Sequence, residues 1–321
     1  MSKTTKIWLI IAASLVLIGC IIFGGVMTML KWDFMKLSTS KYETNDYEIT
    51  EKIKNISIIT DTADILFVPS ENQKTSVVCH EQKNKKHSVT VQNGKLVIEI
   101  VDTRKWYEYI GINFGTPKIT VYIPQGEYGA LFVKSSTGNV EIPKEFKFEN
   151  IDISESTGNV TNYASASENI IIKTSTGNIR VENVSANTLD LSVSTGGVAV
   201  SNVTCESDVK ISVSTGKTNL TNIRCKNVVS TGNTGEISLN NVIAAEKFSI
   251  ERSTGDVKFY GCDAAEISVK TDTGDVTGSL LSNKVFIAQT DTGNVDVPQT
   301  ATGGKCEITT STGDINISIK Q

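Results

Sequence analysis

Histidine is nearly missing from this chain, with two in 321 residues, and proline and phenylalanine are scarce at five and ten. The two imidazoles, His80 and His87, lie near no Ser or Cys in a nucleophile motif, so both read as surface residues. So few prolines and rings mean few rigid kinks and few large core anchors. Basic clusters are missing as well. The net charge is −4, and the short run Lys83, Lys85, Lys86 reads as a solvated hairpin tip. That balance argues against a basic nucleic-acid-binding surface, and no nucleic acid partner is expected. The six cysteines include no CxxC pair, so no metal-ligand spacing is present and no cofactor is expected.

One long apolar run is present. Residues 7–30, IWLIIAASLVLIGCIIFGGVMTML, contain 24 residues without a charge. At about 1.5 Å per residue they cross a ~30 Å hydrocarbon layer, which predicts an uncleaved transmembrane helix and makes the lipid bilayer a partner. A cleavable signal sequence and a lipidated Cys20 in the lipobox-like Leu17-Ile18-Gly19-Cys20 are the alternatives. Apolar text continues well past Cys20, whereas lipoproteins turn polar there. Lys3 and Lys6 precede the run and Lys31, Lys36 and Lys41 follow it, so flanking charge orients it weakly.

The rest is rich in Gly, Ser, Thr, Asn, Val and Ile, residues of strands and tight turns. A Thr-Gly corner recurs at Gly138, Gly158, Gly177, Gly196, Gly216, Gly235, Gly255, Gly274, Gly293 and Gly313, with every gap 19 or 20 residues. Two residues after the glycine, nine of the ten coils carry Val or Ile, and Thr218 stands in the other. Apolar residues also recur five and seven positions before it, as in Val133 and Leu131 or Ile153 and Ile151. Offsets of two mark strands with one buried face. Val184, Val203, Ile223 and Val242 supply a third inward position. Three inward runs per coil predict a three-sided parallel β-helix, an all-β solenoid of about ten coils. Thr-Gly pairs ending at Gly232 and Gly303 fall outside the period.

The corner glycines are structural turns, because a positive φ is free of steric cost only without a Cβ. Asn183, Asn202, Asn222, Asn241 and Gly261 share a second corner column, as a left-handed bend requires, and the asparagines can bond from coil to coil. Cys205, Cys225, Cys262 and Cys306 occupy columns of small or apolar residues and read as buried thiols. Cys205 and Cys225 fall one coil apart, which Cα spacing would allow a disulfide to bridge, but parallel stacking holds their Cβ atoms wide.

The predicted organisation is a tail over 1–6, the helix over 7–30, a polar stalk over 31–49, an irregular β cap over 50–130 and the solenoid over 131–321. Asn93-Gly94 between alternating runs predicts a hairpin inside the cap. No cap is evident after the tenth corner. The segment RKWYEYIGINF, with Trp106, Tyr107, Tyr109 and Phe114, either folds over the solenoid end or forms an interaction surface.

Asp256, Asp275 and Asp314 share the column after the glycine, and Asp272 and Asp291 the column two before it. Paired carboxylates could act as acid and base on a glycan or hold calcium. Asn139, Asn159, Asn178 and Asn294 fill the first of these columns in other coils, which is ordinary turn chemistry. Constant coil length also leaves no long loops to wall a cleft.

From residue 50 onward the text ISIITDTADILFVP, the VYIP before the first coil and the ladder of S-T-G-N/D-V corners resemble the bacterial putative-adhesin family. This is a domain of unknown function found in Lia-type cell-envelope proteins. The resemblance implies a membrane-linked, extracytoplasmic β-solenoid without established catalysis, and it carries over no catalytic residue. The expectation is a non-catalytic, adhesin-like binding protein at the cell membrane whose partner is a protein or envelope component. A glycan hydrolase and a structural spacer are the alternatives.

Overall fold

The computed structural model describes residues 2–37, 40–109 and 115–320. A helix, α1 (Lys3–Met29), opens the chain, and Ser2 caps it by accepting from the Thr5 N–H at 3.2 Å. The most apolar part of α1 is not buried against any other part of the protein. Everything from Tyr42 onward is one continuous sheet wound into a β-solenoid.

Each coil turns where the sequence places its glycine. The ten corner glycines have φ between +134° and +154°. A Cβ on Gly196 would stand 1.9 Å from the Gly177 carbonyl oxygen, so the stacked corners exclude any side chain. The second corner is equally regular, with Asn183, Asn202, Asn222 and Asn241 at φ of 52–57° and Gly261 at 61°. Their amides form a ladder, Asn202 donating to Asn183 at 3.0 Å and Asn222 and Asn241 to their predecessors at 2.9 Å. Between corners, the Val, Ile and Leu columns point inward and are almost wholly buried, except in the coil of Gly293, where Val295 is 45% exposed. Coil spacing of about 4.8 Å sets the length of the rod.

Stacking order departs from chain order at both ends. Near the N-terminus, β1 (Tyr42–Ile49), β2 (Asn55–Ile59), β3 (Asp64–Pro69), β4 (Thr75–Gln82), β5 (Lys85–Gln92), β6 (Lys95–Asp102) and β7 (Lys118–Ile123) precede the first Thr-Gly coil. β2 and β3 form an ordinary coil stacked directly on the strands Gly126–Thr137 and Val140–Ile142. β6 and β7 stack in parallel on the other side of β2 and β3. β4 and β5 then close this end antiparallel to β7 and β6. Asn93 and Gly94, at φ 51° and 73°, make the predicted hairpin between β5 and β6.

The polar stretch expected to be a stalk enters this cap. Tyr42–Ile49 is strand β1, antiparallel to β4 from Tyr42↔Gln82 to Ile49↔Thr75. Its half-buried residues are Tyr42, Glu43, Asn45, Tyr47 and Ile49, of which Tyr47 and Ile49 pack on the apolar core, so the run reads as hydrophilic, yet it covers an edge that β4 would otherwise leave unpaired.

At the other end, Glu266–Thr273 pairs with Gly304–Thr312, and Gly304–Thr312 pairs with Lys284–Thr292. The coil of Gly313 therefore lies between those of Gly274 and Gly293. The outermost coil is Lys284–Asp296, and it, not the segment after Gly313, forms the exposed end.

Candidate functional site

The carboxylates after each corner are structural. Asp64 Oδ1 accepts the Asn139 N–H at 2.8 Å, and the chain of acceptors continues through Asn139, Asn159 and Asn178 to the Gly197 N–H. It resumes where Asp256 accepts from Asp275 at 3.1 Å and Asp275 from Asp314 at 2.8 Å. Asp314 then accepts from Asn294 at 2.8 Å. Each side-chain oxygen thus caps the next coil's backbone N–H, and Asp and Asn serve this purpose equally.

Stacking order separates the other acidic pair. Ser311 of the Gly313 coil falls between Asp272 and Asp291, because Thr273 pairs with Thr312 and Thr312 with Thr292. Two coil spacings, about 9.6 Å, part these carboxylates, not one. Asp256, Asp275 and Asp314 do stand in adjacent coils, although 39 residues separate the last two.

The aromatic segment leaves the solenoid between β6 and β7. There Asp64 N donates to Pro117 O at 2.9 Å, one coil out from the Ile65–Asn139 bond of the regular corner. Trp106–Tyr109 is a 3-10 turn. Trp106, Tyr107 and Tyr109 are 77%, 51% and 58% exposed, so they do not fold over the core as a cap. Phe114 lies outside the described residues. Arg104 grips Asp102 through Nε at 2.9 Å and Nη2 at 2.5 Å, and its guanidinium sits 4.2 Å from the Tyr109 ring centroid. This pairing holds the Asp102 carboxyl well below the usual carboxylate range.

One histidine is not at the surface. His87 is 4% exposed and Glu81 is fully buried. Glu81 Oε2 accepts from the His87 backbone N–H at 2.6 Å and faces His87 Nδ1 at 2.7 Å. Asn45 donates to Oε1 at 2.7 Å, and Thr60 Oγ1 meets His87 Nε2 at 2.8 Å. Burial dominates at His87 and lowers its pKa. The Cys79 thiol stands within 4.8 Å of both groups, a Cys–Glu–His set that could hold a metal ion. Both Glu81 oxygens and both imidazole nitrogens already have partners, however, and burial pushes the thiol up to about 12. The arrangement is that of a satisfied polar network bracing β1, β4 and β5 against the core. His87 alternates with Val89 and Val91 along β5, a period that could have marked it as inward-facing.

A family model, Toastrack DUF4097, matches residues 53–217 and 206–321. The chain belongs to the Toastrack DUF4097 family. Three crystal structures are similar to this Toastrack chain. A putative adhesin from Parabacteroides merdae is 12% identical, with a TM-score of 0.49 over 88% of this chain and 98% of the other. A putative lipid binding protein from Parabacteroides distasonis is 16% identical, with 0.47 over 88% and 98%. A putative adhesin from Bacteroides fragilis is 19% identical, with 0.39 over 88% and 99%. No curated protein matches the chain.

Inside this Toastrack solenoid, the column three before each glycine is mostly polar although it faces inward, with Val193, Val213 and Gly232 as its exceptions. Thr174, Thr271 and Thr310 donate to the glycine carbonyls of the neighbouring coils at 3.3, 3.4 and 3.1 Å. Two charged residues share the column, and reading it down the repeat would have found both. Glu155 is 5% exposed, neither of its oxygens has a partner, and burial raises its pKa to about 7. The Ser135 hydroxyl beside it, whose own hydrogen goes to Thr137 O at 3.4 Å, offsets little of that burial. Arg252 is 3% exposed, and burial lowers its pKa to about 10, still charged at neutral pH. Its Nη2 donates to Ser230 at 3.0 Å and Thr218 at 3.2 Å, while Nε has no partner. Thr218 and Ser230 are the hydroxyls that interrupt the apolar columns.

Proposed function

We propose that this Toastrack protein is a non-catalytic binding module, held at a membrane by α1 with its solenoid on the extracytoplasmic side. The observation that carries the reading is α1 itself. It is a 27-residue helix whose most apolar stretch is left unburied by the rest of the chain, and a bilayer supplies the apolar phase it needs. The corner carboxylates speak for binding over catalysis. One oxygen of each, Oδ1, is engaged in a coil-to-coil bond, and the coils raise no walls around them. A protein or envelope component is the partner class this surface fits.

Two measurements test the reading. Fusions of the full chain to alkaline phosphatase and to a green fluorescent protein should give an active phosphatase and a dark fluorophore, and the reverse pattern overturns the placement. Full-length protein incubated with purified cell-wall glycan should bind without releasing reducing ends. Release that disappears in the Asp275→Asn, Asp314→Asn double variant would make the protein a hydrolase.

A further inference from the structure

The aromatic turn stands at the end of the solenoid that α1 tethers, and the tether is short. The backbone folds on from the helix without a break, with Leu30 N donating to Val26 O at 3.0 Å and Trp32 N to Met27 O at 2.8 Å. Asp33 N donates to Leu30 O at 3.1 Å, and a 3-10 turn, Phe34–Leu37, follows at once. Three peptide links join Leu37 to Ser40, so their Cα atoms lie no more than ~11 Å apart. At Lys41 the chain is fixed to the cap, its carbonyl accepting the Lys83 N–H at 2.9 Å. Ser40 and Lys41 share one open recess with Lys83, Thr103, Arg104 and Tyr107. The rings of Trp106–Tyr109 are therefore neighbours of the segment that leaves the apolar helix.

The turn is built to hold those rings outward. Asp102, Arg104 and Tyr109 form a closed knot, with Tyr109 Oη donating to Asp102 at 3.2 Å and Arg104 stacked on the Tyr109 ring. Glu108 accepts the Lys105 N–H at 2.8 Å and so ties the turn's first residues to its last. Trp106 and Tyr107 meet edge to face at 5.9 Å, and neither is covered. A rigid turn that keeps an indole in water loses the burial such a ring can give, unless another phase receives it. Charge near the turn is asymmetric. Lys85 and Lys86 are paired with Asp61 and Glu43. Among the described residues, no salt bridge joins Lys41, Lys83 or Lys105 to a carboxylate.

We propose that the turn is a membrane-contacting foot. Trp106, Tyr107 and Tyr109 enter the headgroup layer of the leaflet from which α1 emerges, and Lys41, Lys83 and Lys105 lie against the phosphates of anionic phospholipids. Tryptophan and tyrosine favour this layer because each has an apolar body and a polar edge, and lysines near it gain from its negative potential. The inference rests on reading α1 as a bilayer span. With α1 and the foot both engaged, the solenoid is held at two points and cannot swing freely on its tether.

The three tryptophans allow a test that separates the foot from the span. Full-length protein is reconstituted into phosphatidylcholine vesicles with and without phosphatidylglycerol, using lipids brominated near the headgroup or mid-chain. A Trp8→Phe, Trp32→Phe variant reports Trp106 alone, and a Trp32→Phe, Trp106→Phe variant reports Trp8. The foot predicts roughly twofold quenching of Trp106 by the shallow bromines. It also predicts roughly twofold weaker quenching when phosphatidylglycerol is left out or when Lys41, Lys83 and Lys105 become Gln. Quenched Trp8 beside unquenched Trp106 overturns the foot, leaves the span standing and points the rings to a protein partner. Unquenched Trp8 overturns the span and the foot with it.

Discussion

Gly232 and Arg252 are complementary in shape: a Cβ on Gly232 would stand 1.7 Å from Nη1 of Arg252 and 2.3 Å from the Val213 carbonyl oxygen. One of the two Thr-Gly glycines that fall out of the 19–20-residue period is thus the residue that makes room for a buried guanidinium. Gly232→Ala should lower unfolding stability by about 2–4 kcal/mol, since the backbone contact cannot yield. Arg252→Ala should not rescue it, because the Val213 carbonyl still blocks the new methyl. Urea midpoints of the two single variants and the double variant check this, and a double variant as stable as Arg252→Ala alone would refute it.

Glu155 predicts a pH dependence of opposite sign to that of a salt-bridged carboxylate. Its folded pKa is about 7 against an ordinary value of 4.5. Between these values the folded chain keeps a proton that the unfolded chain has released, so stability falls as pH rises through this window. The loss is on the order of 3 kcal/mol. Glu155→Thr installs the hydroxyl that Thr174 uses in the next coil. It should flatten the profile and exceed the wild type at pH about 8. Denaturation midpoints measured across that window decide the matter, and a wild-type midpoint that climbs with pH rules it out.

The acidic corner column should tolerate amides and resist truncation. Asp275→Asn keeps the oxygen that accepts the Asp314 N–H and should change stability by less than about 0.5 kcal/mol. Asp275→Ala leaves that N–H to water and should cost about 1 kcal/mol. Equal losses in the two variants would mean that the charge matters, not the acceptor.

Hydrogen exchange reads the stacking order directly. The amides of Gly304–Thr312 lie between two coils, whereas Lys284–Thr292 has a partner on one side only. Residues 304–312 should exchange more slowly than 284–292, by roughly tenfold or more at matched positions. Coils stacked in chain order would give the reverse.

Much of the rod was legible because its geometry repeats. The glycine at positive φ, the asparagine at the left-handed corner and the inward Val two residues on each obey a local rule, and each recurs at a fixed period. Coil order obeys no local rule. Every coil carries the same edge chemistry, so any one can stack on any other, and the period alone cannot show that Gly313 inserts before Gly293. Pro298 was a readable sign. It falls where other coils continue a strand, as in Ser201 or Asn240, and a residue without an N–H suits a coil with one neighbour. The N-terminal coil was hidden for a similar reason, because Thr62-Ala63-Asp64 places alanine where the other corners have glycine. The network of Glu81 and His87 was missed because its partners, Asn45 and Thr60, come from strand β1 and the loop after β2, which the sequence does not place beside β5.

Closures built from out-of-order coils also dictate where such a rod can grow. The strands of each middle coil pair only with the two neighbouring coils, so a coil duplicated in the shaft, away from the contacts of Arg252 with Thr218 and Val213, adds one more rung and leaves both ends as they are. The same duplication after residue 284 would have to pass through the seam where two coils exchange places. Variation in length is therefore a property of the shaft, and the two ferrules are inherited whole.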